Sequence, residues 1–168
     1  MFYPEESFAG ANAEYFKVFP EAQAGLPLPP AKHYAIVTCM DARIDAFKAF
    51  GLSPGDAHVI RNAGGSARDA IRSLVISQQM LGTNAIYLVK HTKCGMATFE
   101  NKDIHRAIAE NLGVGAKHID FLPFSDVEKA VKEDIAFLKG HELVHPRVKS
   151  HISGWIYDVD TGKVKRIV

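Results

Sequence analysis

Three short apolar runs in the first 90 residues predict buried β-strands. The runs are HYAIVT at 33–38, AHVIR at 57–61 and AIYLVK at 85–90. They do not alternate strictly between apolar and polar residues, and such runs are typical of strands buried on both faces of a parallel sheet. A shorter segment at 119–121 is expected to add a fourth parallel strand.

Four segments with the length and pattern of helices lie between and after these runs. Each of the four segments is followed directly by a glycine. Glycine just past the last helical turn is a common helix terminator. Ser66 and Asp69 have the spacing of a capping box, and so do Ser125 and Glu128. The predicted helices cover residues 45–50, 66–81, 104–112 and 126–139.

The last part of the chain predicts an antiparallel hairpin, with strands at 151–159 and 163–168 around the turn Asp160-Thr161-Gly162. The alternation of strands and helices before it predicts an α/β fold with a mostly parallel central sheet, in strand order 2-1-3-4, flanked by helices. We expect a single domain over residues 1–168, of which residues 1–32 form an N-terminal arm.

Both cysteines of the chain lie just beyond predicted strands. Cys39 follows the first strand, while His91 and Cys94 follow the third. Thiolate sulfur and imidazole nitrogen are preferred zinc ligands, and a fourth position would be filled either by Asp41 or by water. If the first and third strands are neighbours, these residues meet at the edge of the sheet where α/β proteins place their sites. The sequence therefore favours a zinc site.

Two other interpretations of the cysteines are a disulfide and a pair of buried, inert thiols. A disulfide is disfavoured because the N-terminus has no apolar segment typical of a secretory signal, and we expect a cytoplasmic protein with reduced thiols. The 20 basic and 19 acidic side chains give a net charge of +1, which offers no electrostatic reason for a nucleic-acid or membrane partner. The apolar runs are too short to span a bilayer.

Three motifs carry a family resemblance. They are Cys-x-Asp-x-Arg at 39–43, Arg-Asn-Ala-Gly-Gly at 61–65 and His-x-x-Cys at 91–94. In these motifs and in their order, the chain resembles the β-class carbonic anhydrases, and especially the short, minimal members of that family. It is also similar to the related carbonyl sulfide hydrolases, which share the fold and the zinc ligands.

The resemblance implies a zinc ion bound by Cys39, His91 and Cys94, with Asp41 and Arg43 as the adjacent catalytic pair. Zinc lowers the pKa of bound water to roughly 7, so hydroxide is available at neutral pH. Arg43 can hold the Asp41 carboxylate through two hydrogen bonds, which keeps the zinc open to water. If Asp41 instead binds the metal, the site is closed.

The implied reaction is attack by zinc-bound hydroxide on a small linear heterocumulene. The substrate is carbon dioxide, which gives bicarbonate, or carbonyl sulfide, which gives carbon dioxide and hydrogen sulfide. Alternatives are a dedicated carbonyl sulfide hydrolase with little anhydrase activity, and a structural or redox-sensing zinc module closed permanently by Asp41. A flavodoxin-like nucleotide binder is disfavoured because neither GxGxxG nor GxxxxGK[ST] occurs.

The segment Ala63-Gly64-Gly65 is a candidate substrate-binding loop between the second strand and a capped helix. Its backbone N–H groups and the following helix N-terminus would favour a bicarbonate-like anion. The alternative is a tight strand-to-helix turn that requires positive φ angles.

The N-terminal arm is rich in aromatic side chains, which a short arm cannot bury by itself. They must cover either the chain's own domain or a second subunit. The family resemblance implies a homodimer or a higher homo-oligomer in which the arm embraces the partner. The aromatic residues are Phe2, Tyr3, Phe8, Tyr15, Phe16 and Phe19.

Overall fold

The computed structural model describes residues 5–168, with side chains from residue 7 onward. Its centre is a five-stranded sheet in the order β2-β1-β3-β4-β5. The first four strands are parallel to their neighbours, and β5 pairs antiparallel with β4. The strands are β1 (Tyr34–Cys39), β2 (His58–Asn62), β3 (Ala85–His91), β4 (Ile152–Tyr157) and β5 (Val164–Arg166).

The predicted α/β class and the strand order 2-1-3-4 are confirmed, but the predicted fourth strand is wrong. Residues 119–121 form no strand, and the first strand of the C-terminal hairpin takes the fourth position in the sheet. The physical reason is local. The N–H of Phe121 donates to the Asn101 side chain and that of Leu122 to the Asp120 side chain, both at 2.9 Å, so two backbone donors are taken by side chains.

All four predicted helices are present, with shifted ends. Ser66 caps α3 by accepting from the N–H of Asp69. Asp126, and not Ser125, caps α5 by accepting from Lys129 N–H. The helices are α1 (Glu5–Lys17), α2 (Ala46–Ala49), α3 (Ala67–Gln79), α4 (Asn101–Leu112), α5 (Val127–Gly140) and α6 (Pro146–Lys149).

The main apolar core lies between one face of the sheet and helices α3 and α5. Because successive strand residues point to opposite faces, alternate residues of β1 and β3 face these helices. Fully buried members of this core are Val37 and Leu88 from the sheet, Leu74 from α3, and Val131 and Leu138 from α5.

The opposite face of the sheet is much less covered by this chain. Short helix α2 packs near one end of it, and an open apolar groove of about 330 Å³ remains. The strand residues that line this groove are Tyr34, Ile36, Tyr87, Val89, Trp155 and Val164.

Residues 5–17 of the N-terminal arm form helix α1, although the sequence pattern predicted no helix there. Phe8 is 82% exposed and Phe16 is 79% exposed, so neither ring is covered by the chain itself. Phe2 and Tyr3 lie outside the described residues. No helix over residues 5–168 is both long and apolar enough to cross a bilayer.

Candidate metal centre

The structure brings Cys39, His91 and Cys94 together at one edge of the sheet. Cys39 ends β1 and His91 ends β3, and these strands are parallel neighbours, so both side chains emerge at the same edge. One ligand atom from each residue lies within 4.8 Å of the other two. All three residues are buried. Among the described residues, this is the group of side chains that is arranged to hold a metal ion.

The hydrogen bonding of His91 fits a metal ligand. Its Nδ1 lies 2.9 Å from the carbonyl oxygen of Thr92, so Nδ1–H donates there and Nε2 keeps a free lone pair. None of residues 7–168 provides a hydrogen-bond partner for this buried Nε2 atom. An unpaired buried polar atom is costly, and a cation between His91 and the two cysteines would satisfy it.

The two thiols form a close pair, with 3.9 Å between the sulfur atoms. The hydrogen bond with Cys94 lowers the pKa of the Cys39 thiol to about 4. Backbone N–H groups of Asp41 and Gly64 also lower this pKa, whereas burial raises it. The hydrogen bond with Cys39, together with burial, raises the pKa of Cys94. A divalent cation would hold both groups as thiolates, because metal ligation displaces the thiol proton.

Asp41 and Arg43 form the predicted pair. Arg43 Nε lies 2.9 Å from Asp41 Oδ1, and Arg43 Nη2 lies 2.7 Å from Oδ2. The hydrogen bonds from the Arg43 side chain are the main reason that the pKa of Asp41 lies well below its ordinary range. Asp41 Oδ2 is 3.7 Å from His91 Nε2, beside the ligand group but not a member of it.

The side chain of Arg61 supports the same loop from β2. Its Nε donates to the Cys39 carbonyl at 3.0 Å, and its Nη2 donates to the Asp41 carbonyl at 2.7 Å. Arg61 belongs to the motif at 61–65, but no role for its side chain followed from that motif. The contact depends on the pairing of β2 with β1, which places Cys39 opposite Asn62.

Ala63, Gly64 and Gly65 form a short turn behind Cys39. Gly64 has φ 72° and Gly65 has φ 58°, so both occupy the left-handed region. A Cβ atom on Gly65 would lie 3.0 Å from the Thr38 carbonyl carbon, so the backbone of β1 or of the turn would have to shift to accept a side chain. The tight-turn interpretation of this segment therefore holds, and a substrate-binding role remains a prediction.

Apolar side chains surround the two sulfurs. Ile44 is buried with Cys39 and Cys94, and three partly buried side chains pack against this cluster. Such a lining suits a small apolar substrate. The three are Met96, Phe124 and Tyr157.

Comparisons with known proteins agree on one family. A family model described as "Carbonic anhydrase" matches residues 34–164. The chain is 40% identical over 167 residues to β-carbonic anhydrase 1 of Mycobacterium tuberculosis, and the match covers 96% of each protein. It is 30% identical over 159 residues to a carbon disulfide hydrolase of Acidithiobacillus thiooxidans, covering 82% of this chain and 78% of that protein. The structure matches a carbonic anhydrase from Glaciozyma antarctica with a TM-score of 0.90 and 48% identity, over 100% of both chains.

Proposed function

This chain belongs to the carbonic anhydrase family, β class, and we propose that it hydrates carbon dioxide to bicarbonate at a zinc ion held by Cys39, His91 and Cys94. Zinc is the cofactor of this family. One observation carries the assignment of the ligands. The two sulfurs and the free Nε2 of His91 form a buried group whose ligand atoms lie within 4.8 Å of one another.

Each ligand residue is prepared for that role by its neighbours. The Thr92 carbonyl sets the tautomer of His91, so that Nε2 faces the sulfurs with its lone pair. The backbone N–H groups of Gly64 and Met96 lower the pKa of the Cys39 and Cys94 thiols, respectively. These donors stabilise the thiolate form that a metal requires. Bound zinc supplies a nucleophile at neutral pH, because it lowers the pKa of its water to roughly 7.

Asp41 acts in this proposal as a hydrogen-bond acceptor that orients the attacking water. Its Oδ2 atom lies 3.7 Å from His91 Nε2, so the carboxylate borders the place where the three ligand residues would hold the metal. Arg43 keeps the pKa of Asp41 well below its ordinary range, so the carboxylate stays ionised and accepts rather than donates. Arg43 also donates to the Lys93 carbonyl at 2.9 Å, which anchors the pair to the loop that carries Cys94.

The second candidate function is a structural or redox-sensing zinc module in which Asp41 permanently fills the fourth metal position. The two-point contact between Asp41 and Arg43 argues against it, since a carboxylate held by a guanidinium must break both bonds to reach the metal. Zinc analysis and an activity assay on one preparation separate the two functions. A zinc-loaded protein without activity at any pH would establish the closed module.

The substrate range extends in our proposal to carbonyl sulfide. The side chains around the sulfurs are apolar, and carbon dioxide and carbonyl sulfide are linear molecules of similar length. A pocket contact that separates molecules differing this little is worth only about 1 to 3 kcal/mol, or roughly 10- to 200-fold in rate. The similarity to a carbon disulfide hydrolase supports hydrolysis of a sulfur-containing relative of carbon dioxide by such a site.

The decisive experiment measures carbon dioxide hydration by stopped flow and hydrogen sulfide release from carbonyl sulfide on the same zinc-loaded protein. We expect both activities in the parent and neither in Cys94→Ser or His91→Ala, which should also lose zinc. His118→Ala is the matched control, because His118 is an exposed histidine outside the site and should change nothing.

A zinc-loaded parent that does not hydrate carbon dioxide would overturn the proposed function. Hydration without any release of hydrogen sulfide, or release that persists in Cys94→Ser, would overturn the carbonyl sulfide proposal alone.

We also propose that the protein is a homodimer, or a larger assembly of such dimers, in which α1 packs on the partner. The exposed rings of Phe8 and Phe16 need cover, and the sheet face around Tyr34 and Trp155 offers an open apolar groove. Burying both surfaces against each other would remove them from water, which is the main driving force of protein association.

A further inference from the structure

Lys90 is a buried cation directly beside a proposed metal ligand. It precedes His91 in β3, and its side chain is only 4% exposed. Because strand residues alternate between faces, Lys90 points toward α3 and α5, as Leu88 does, while His91 points to the opposite face. A buried charge is costly unless it is paired and hydrogen-bonded, so the surroundings of Lys90 require an explanation.

Three acceptors surround the Lys90 ammonium. Its Nζ lies 2.8 Å from Asp134 Oδ2, 3.0 Å from the Gly64 carbonyl oxygen and 3.3 Å from the Gly65 carbonyl oxygen. An ammonium has three N–H donors, so this set satisfies it completely. The ring of Phe124, with its centroid 5.1 Å from Nζ, covers the cation with its negative face.

Asp134 holds the ammonium in place from α5. Its Oδ2 atom also accepts a hydrogen bond from the Ala67 N–H at 3.1 Å, in the first turn of α3. Asp134 thereby links α5 to β3 and to the helix that follows the glycine turn. Neither partner of this ion pair can shift without disturbing the turn.

The glycine turn lies between Lys90 and the end of β1. Lys90 binds the turn through the carbonyl oxygens of Gly64 and Gly65. The turn also packs against the β1 backbone, where a Cβ atom on Gly65 would lie 3.0 Å from the Thr38 carbonyl carbon and 3.1 Å from the Cys39 nitrogen. The position of the turn is therefore coupled to the position of the backbone that carries the Cys39 thiol.

We propose that Lys90 is a positioning residue for the metal centre: its ammonium, held by Asp134, binds the Gly64 and Gly65 carbonyls and so holds that turn against the β1 backbone at Cys39. The inference rests on the proposed function only in that Cys39 is taken as a metal ligand. Lys90 itself does not touch the reacting atoms.

A purely structural pair would not need these charges. Replacing a buried ion pair by apolar or neutral groups of similar volume is often neutral or stabilising. A specific task accounts for the pair, and the task that the contacts indicate is orientation of the glycine turn. Surrounding groups that orient a metal ligand typically affect metal affinity or activity by about 10- to 100-fold.

The test removes both charges together, so that neither is left buried without a partner. In Lys90→Met/Asp134→Asn, the new asparagine keeps an acceptor for the Ala67 N–H and has nearly the volume of aspartate. The readouts are thermal melting, zinc affinity by chelator competition, the thiolate-to-metal charge-transfer band of the cobalt(II) form, and kcat and KM for carbon dioxide. Lys132→Met is the matched control, because Lys132 pairs with Glu128 on the exposed side of α5.

We expect the double variant to fold, to bind zinc 10- to 100-fold more weakly, and to show a shifted charge-transfer band, with kcat/KM reduced by a similar factor. The control should match the parent in every readout. A folded double variant with the zinc affinity and the charge-transfer band of the parent would overturn the inference. If the double variant does not melt cooperatively, Lys90→Gln decides by the same readouts, because its amide can bind only part of the turn.

A failure of the proposed function would give different results from a failure of the proposal for Lys90. A parent protein that binds zinc but does not hydrate carbon dioxide would refute the function, while the zinc affinity and the cobalt spectrum would still test Lys90.

Discussion

The carboxylate of Asp41 is bound at two points by the guanidinium of Arg43, only two residues further along the same loop. The N–H of Arg43 adds a third hydrogen bond to Oδ1 at 2.9 Å. These three donors fix the direction of the carboxylate and hold it beside His91 rather than among the metal ligands. In the proposed function, this contact keeps Asp41 off the metal and leaves the fourth metal position to water.

We predict that Arg43→Met lowers kcat/KM for carbon dioxide by about 10- to 100-fold, with the largest loss near neutral pH. Without the guanidinium, Asp41 is free to bind the metal and to compete with water. A pH–rate profile of the zinc-loaded variant checks this, and Lys132→Met serves as a control that removes a distant exposed cation. An unchanged profile would mean that the contact has no part in turnover.

The same variant should change the acid stability of the protein in a defined direction. The pKa of folded Asp41 lies below its ordinary value, so the contact with Arg43 stabilises the fold above the unfolded pKa of about 3.9. That contribution disappears as the pH falls through the folded pKa. Arg43→Met should therefore melt below the parent at neutral pH and converge with it in strong acid. A difference in melting temperature that persists in strong acid would contradict this linkage.

Asp41→Asn should keep its zinc and lose most of its turnover. Asp41 is not a member of the ligand group, so metal content should stay at one ion per chain. The neutral amide is a weaker acceptor for the attacking water, and kcat should fall about 10²- to 10⁴-fold. Metal analysis and stopped-flow assays on one preparation test both statements. Loss of zinc together with activity would instead make Asp41 a ligand.

Gly65→Ala should destabilise the protein by about 1 to 3 kcal/mol and weaken zinc binding. The added methyl group would lie 3.0 Å from the Thr38 carbonyl carbon, and the φ angle of 58° is strained for alanine. Gly115→Ala is the matched control, since a Cβ there has nothing within 4 Å. Chemical denaturation of the three proteins gives the comparison, and equal stabilities would show that the turn can move away from β1.

Phe16→Asp should weaken self-association. Phe16 is 79% exposed in the single chain, and an aromatic anchor of an interface contributes about 2 kcal/mol, which is about 30-fold in dimer Kd. Sedimentation at several concentrations measures the shift. Asn12→Asp adds the same charge to the same helix at an already polar, exposed position, and should leave association unchanged. A monomeric parent would refute the proposed dimer.

Several features of the fold follow from the amino-acid sequence because they depend on neighbouring residues. The apolar runs at 33–38, 57–61 and 85–90 became β1, β2 and β3 within a residue at each end, since apolar runs without strict alternation are typical of strands in a parallel sheet. The cap of α3 at Ser66 is equally local. The strand predicted at 119–121 failed because side chains nearby accept from the N–H groups of Phe121 and of the following Leu122, which a hydrophobic pattern does not reveal.

The candidate ligand set could also be inferred from the sequence, since Cys39, His91 and Cys94 are the residue types that zinc prefers and follow two predicted strands. What tertiary structure alone decided is the support around them. Arg61 reaches the carbonyls of Cys39 and Asp41 because β2 pairs with β1 in one register. Lys90 meets Asp134, 44 residues away in the sequence, because α5 packs on the face of β3 opposite His91. Contacts of this kind depend on strand order and on which face a residue occupies, and both arise only when the chain packs around a common core.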